Sequence, residues 1–166
     1  MNKKGQAAME FLMTYGWAIV VVLAAIGALA YFGVLSPQKL LPDRTTFSAP
    51  VPNVDNAVVD STNNVVAVAF RNNKGVAIQI PKTGTFTSTY CTGATPIASV
   101  IDSSTKASIG NATNIENGAG FIITWTCDHG TAASGSKFKA DVAFDYVNSE
   151  TGQTLKQTGT IEGKWG

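Results

Sequence analysis

Two patterns of apolar residues divide the chain. From Phe11 to Leu35 the residues are uncharged and mostly apolar, with apolar groups on every side of a projected helix and no amphipathic stripe. This run of about 25 residues compares with the ~20 that span a bilayer's hydrocarbon, and as a helix it reaches roughly 37 Å. Pro37 disfavours helical geometry at Ser36 and predicts the stop. Further along, the period changes to two, the mark of half-buried strands. GFIITWTC puts Phe121, Ile123, Trp125 and Cys127 on one face. KFKADVAFDYV sets Phe138, Ala140, Val142, Phe144 and Tyr146 against Lys139, Asp141 and Asp145. TLKQTGTIEGKW sets Leu155, Ile161 and Trp165 against Thr154, Lys156, Thr158, Thr160, Glu162 and Lys164. NSETG between the last two predicts a hairpin, with Gly152 available for a left-handed position.

Val65 to Phe70 and Val76 to Ile80 read as further strands linked by the turn-like RNNKG, and Val58–Asp60 and Thr83–Thr89 as shorter ones. Lys39 to Pro52, with Pro42, Pro50 and Pro52, predicts an extended connector. SSTKASIGNATNIENGAG predicts a surface loop. No internal repeat is evident. About six or seven short strands with turn signals suggest an antiparallel sandwich. The fold class is therefore α+β, a long N-terminal hydrophobic helix followed by an antiparallel β-sandwich.

Length allows one ordinary domain plus an accessory segment in 166 residues. A net charge of +1 excludes the basic field of a nucleic-acid binder. Charged residues are 14%, against roughly 25% in soluble domains. Only Lys3, Lys4 and Glu10 precede Lys39 among the charges. The positive-inside bias keeps Lys3 and Lys4 cytoplasmic, so the C-terminal part is expected outside. Glu10 at the helix start has two readings. It is a functional acid in a membrane segment, or it sits at the headgroup level and stabilises the helix N-terminus through the dipole. Gly16, Ala18, Ala24, Ala25, Gly27, Ala28 and Ala30 allow close helix–helix approach, although small residues are also common in membrane helices.

The segment KKGQAAMEFL resembles the class III signal peptide of archaeal type IV pilins and archaellins. The likeness covers roughly the first 35 residues, the helix included. It implies a leader at residues 1–5, with Lys3 and Lys4 read by a membrane prepilin peptidase and the cut between Gly5 and Gln6. Glu10 then becomes the fifth mature residue; Ala8 departs from the family's frequent Ser. The resemblance further implies a helix over 6–38 that leaves the membrane for a filament core. There Gly16, Ala24, Gly27 and Ala28 would pack against related helices. An extracellular, immunoglobulin-like head would cover 39–166. Implied partners are copies of itself or related pilins, the prepilin peptidase and the pilus assembly platform. Glu10 would meet the new terminal amine of Gln6 on a neighbour and set register. The implied role is structural, with surface adhesion as its use. An archaellin shares this N-terminal logic. A single-pass anchored binding domain that never polymerises is a reading from another class. A conventional signal peptide cut after Ala28-Leu29-Ala30 would release a protein starting at Tyr31, but the apolar run is long for it.

Cys91 and Cys127 are the only cysteines. Outside the cell they most simply form a disulfide, worth roughly 4 kcal/mol in the chain-entropy model; two separate buried thiols are the alternative. Cys127, Asp128 and His129 fall short of a metal ligand set, with one histidine in the chain, so neither metal nor cofactor is expected. Asn111-Ala112-Thr113 is a glycosylation sequon in a polar stretch. No nucleophile elbow or phosphate-cradling loop occurs, and Asp141 and Asp145 are spaced as solvated strand-face charges. The expectation is a protein without catalysis.

Overall fold

The computed structural model describes residues 3–32, 42–88, 91, 97–128 and 135–165, with side chains in the helix described from Met9 onward. The chain divides into two compact units, Met1–Leu41 and Pro42–Gly166.

The first unit contains α1, Lys3–Tyr31, a helix of 29 residues. Its Ala, Leu and Met residues are strong helix formers, and the β-branched run Ile19 to Val22 is carried within them. Phe32 N–H donates to the Ala28 carbonyl at 3.0 Å and closes the last turn. Lys3, Lys4 and Gly5 belong to the first turn of this helix. The stop expected at Pro37 lies outside the described residues.

The second unit holds β1 (Arg44–Phe47), β2 (Val58–Asp60), β3 (Val65–Arg71), β4 (Ile78–Gln79), β5 (Gly84–Ser88), β6 (Ile97–Asp102), β7 (Gly120–Thr126), β8 (Lys137–Asn148) and β9 (Thr154–Lys164). One antiparallel sheet runs β1-β9-β8, with β4 and β5 both along the far side of β8; the other runs β2-β3-β7-β6. The protein is thus an apolar helix followed by two antiparallel sheets. The residues of β7 and β8 alternate as their pattern requires, with Phe121, Ile123, Trp125, Phe138, Ala140, Val142, Phe144 and Tyr146 all buried. Aromatic rings join the two sheets: Phe70 meets Phe144 at 5.1 Å and Phe86 meets Trp125 at 5.9 Å between centroids. The β8–β9 hairpin turns at Gly152, whose φ of 67° lies in the left-handed region that glycine enters without a β-carbon penalty.

Several expectations are corrected. The supposed connector contains β1, paired with β9 through Thr45↔Ile161 and Phe47↔Gly159. Its outer rim is clipped by asparagines: Asn56 Oδ1 accepts from Thr45 N–H at 3.2 Å and Asn53 Oδ1 from Phe47 N–H at 3.0 Å. Asn53 Nδ2 donates back to the Thr45 carbonyl at 3.0 Å. β6 is an additional strand, and a register shift between Ile97 and Ser99 breaks its alternation. RNNKG carries the chain from one sheet to the other, because β3 pairs with β7 while β4 pairs with β8. The Val76–Ile80 strand is reduced to Ile78–Gln79, since the Val76 carbonyl is taken by buried Asn72 Nδ2 at 2.8 Å. The polar loop after β6 lies at the surface as expected, anchored at two points: Ile109 and Ile115 are buried, and Ile115 exchanges backbone bonds of 2.8 and 3.0 Å with Ile78.

Candidate functional site

The chemistry anticipated from the sequence gathers on α1. Met9–Tyr31, 23 residues, is long and apolar enough to cross a membrane, and no residue of its most apolar window is buried. At 1.5 Å per residue this is roughly 34 Å, against a hydrocarbon thickness of ~30 Å. Phe11, Leu12 and Met13 are consecutive, about 100° apart round the helix, and are 63%, 66% and 78% exposed. No side of that turn is covered. The rings of Phe11 and Tyr15 meet at a tilt with centroids 4.5 Å apart, and with Ala18, Ile19, Val22 and Leu23 they line one shallow apolar groove along the helix.

Polar groups on α1 are handled in two ways. Thr14, which the sequence pattern does not single out, donates its hydroxyl to the Glu10 carbonyl at 2.9 Å. That bond satisfies the hydroxyl within the helix, as an apolar solvent demands. Glu10 itself is exposed, one residue inside the apolar span, which suits the headgroup level. Gly16 and Gly27 have nothing within 4 Å of the place a β-carbon would take. Each costs a helix about 1 kcal/mol relative to alanine. Ala24 and Ala28 lie one turn apart and are exposed, as is Gly27, while Gly16 is half-buried. Lys3, Lys4, Gly5 and Gln6 fall in the first turns of α1.

In the second unit Cys91 and Cys127 form a disulfide with α-carbons 5.1 Å apart, tying the segment between β5 and β6 to the end of β7. This takes Cys127 out of the Cys127–Asp128–His129 set; His129 lies outside the described residues. No group of three or more metal-ligating side chains occurs among the described residues. Asp141 and Asp145 project from the outer face of β8, where Asp145 Oδ2 accepts from the Thr83 hydroxyl at 2.9 Å. Beside them Lys139 and Glu162 pair across strands at 3.2 Å with both side chains half exposed or more, a contact worth little in water. The Asn63 side-chain amide, then its backbone N–H, holds the Asp60 carboxyl below the usual carboxylate value. The Thr105 and Ser104 N–H groups do the same for Asp102. These acids brace turns. Asn111 stands exposed in the turn after Ile109.

No protein-family model matches the chain, and no curated protein matches it.

Proposed function

We propose that this chain is a structural subunit of a surface filament of the archaeal type IV pilus kind. The observation that carries the reading is α1, apolar and uncovered over Met9–Tyr31. Such a surface is unfavourable in water by about 25 cal/mol per Å² and is relieved by lipid or by other apolar helices. Gly16 and Gly27 favour the second destination, because residues without a bulky side chain let another helix backbone come close.

In this reading the prepilin peptidase recognises Lys3 and Lys4 and cuts between Gly5 and Gln6. The helix is held in the membrane with the C-terminal unit outside. The assembly platform then moves it into a filament, where Glu10 meets the Gln6 amine of a neighbour and Gly16, Ala24, Gly27 and Ala28 seat adjoining helices. The protein works by polymerising and coating the cell, with attachment as its use, and not by catalysis.

The head is immunoglobulin-like in this reading. Its orders β2-β3-β7-β6 and β9-β8-β4/β5 follow strands A-B-E-D and G-F-C of the constant-type immunoglobulin domain, with β1 added beyond β9. Its disulfide differs from the inter-sheet bridge of antibody domains, since Cys91 precedes β6 and Cys127 follows β7.

An archaellin and a non-polymerising anchored domain fit the same helix. Shearing the cell surface separates them. The filament reading expects this chain in sheared fibres with Gln6 as first residue. Recovery solely in the membrane fraction overturns it, as does a first residue of Tyr31. Loss of motility with attachment intact favours the archaellin.

A further inference from the structure

We propose that Asn111 is the acceptor of an N-linked oligosaccharide, an inference that rests on the head lying outside the cell. Asn111-Ala112-Thr113 is the only Asn-x-Ser/Thr triplet in the chain. All three residues are exposed, in a turn where Thr113 N–H donates to the Gly110 carbonyl at 3.1 Å. Both feet of this arch are fixed. On one side Ile109 is buried and its N–H donates to Val100 of β6 at 2.8 Å; on the other Ile115 is bonded to Ile78 of β4.

The neighbouring asparagines are committed. Asn114 Oδ1 accepts from Gln79 Nε2 at 2.8 Å and from the Ser149 hydroxyl at 3.0 Å. Asn117 Oδ1 accepts from Gly75 N–H at 2.9 Å, and Asn72 is wholly buried with its amide bonded. The Asn111 amide has no hydrogen-bond partner among the described residues, so its Nδ2 is open to reaction.

The position also suits a bulky group. The arch spans the edge made by β6 of one sheet and β4 of the other. The exposed Val54 and Val58 lie at the opposite edge, beside β3. A sugar on Asn111 therefore leaves that apolar edge uncovered.

The donor is an oligosaccharide joined through its first sugar carbon to a lipid phosphate. The Asn111 Nδ2–C bond forms as the carbon–oxygen bond to phosphate breaks. The lipid phosphate departs with the electron pair, and one Nδ2 proton passes to a base of the transferring enzyme.

The test is mass spectrometry of the full chain purified from the surface of the cells that make it. The peptide containing Asn111 should carry an oligosaccharide increment, lost in Asn111→Gln and Thr113→Val and kept in Thr113→Ser. Unmodified Asn111 in molecules whose Cys91–Cys127 bond has formed overturns the proposal. Sheared fibres from the same cells report separately: fibres of unmodified chain defeat this inference alone, and modified chain confined to the membrane defeats the filament reading alone.

Discussion

The ring of Phe47 lies against the bare α-carbon of Gly159, its registered partner across the β1–β9 pair. A β-carbon at Gly159 would overlap the ring. The glycine lets Phe47 settle into the core and meet Phe70 edge-on at 4.8 Å. Gly159→Ala is therefore expected to destabilise the head by roughly 1–3 kcal/mol through overpacking. Denaturant unfolding of the variant beside the parent measures it; an unchanged midpoint would show that Phe47 swings aside without loss.

The Cys91–Cys127 bond closes a separation of 36 residues. Replacing both cysteines with serine should cost about 2–4 kcal/mol. The same loss should appear when the parent is unfolded in excess reductant. Equal stability with and without reductant would contradict this.

Gly16→Leu and Gly27→Leu meet open space in the single chain. Unfolding of the head should not change, while the yield of sheared fibres falls several-fold if helices approach at these points. Parental yield from both variants removes helix contact there.

Glu10→Gln should be clipped normally at Gly5–Gln6 and yet assemble poorly. Loss of one partner from a shielded charge pair costs about 3–5 kcal/mol per contact. Counting fibres by microscopy decides the matter, and normal numbers would remove the register role of Glu10.

Asp60 and Asp102 have folded-state pKa values below the ordinary 3.8, through hydrogen bonds led by the Asn63 side chain and the Thr105 N–H respectively. Each carboxyl binds fewer protons folded than unfolded, so its contribution is present above the ordinary value and is lost as pH falls through the depressed one. Both are partly open to solvent, and the effect is small. The joint Asp60→Ala and Asp102→Ala variant should melt lower than the parent near neutral pH, and the gap should narrow below about pH 4. Calorimetry across that range reads it; a gap that widens in acid would be the wrong sign.

Strands with an uninterrupted period of two, such as β7, β8 and β9, were legible residue by residue, because one face is core and the other is water. β1 was hidden among prolines, and its pairing is to residues near the other end of the chain, a relation no local pattern carries. β6 lost its alternation to the shift at Ile97 and Ser99. Ile109 and Ile115 looked like isolated apolar residues in a polar loop, since each touches the core singly. On α1 the exposure of every face follows from composition, whereas Lys3, Lys4, Gly5 and Gln6 carry meaning only through resemblance. The Thr14 hydroxyl bond to Glu10 needed a helix in space before it became visible.

A strand at the border of a sheet is a standing invitation to any similar strand nearby, and crowding multiplies the offers. With Asn53 and Asn56 occupying the open side of β1, that invitation is withdrawn there. Heads brought side by side cannot pair strand to strand along this border.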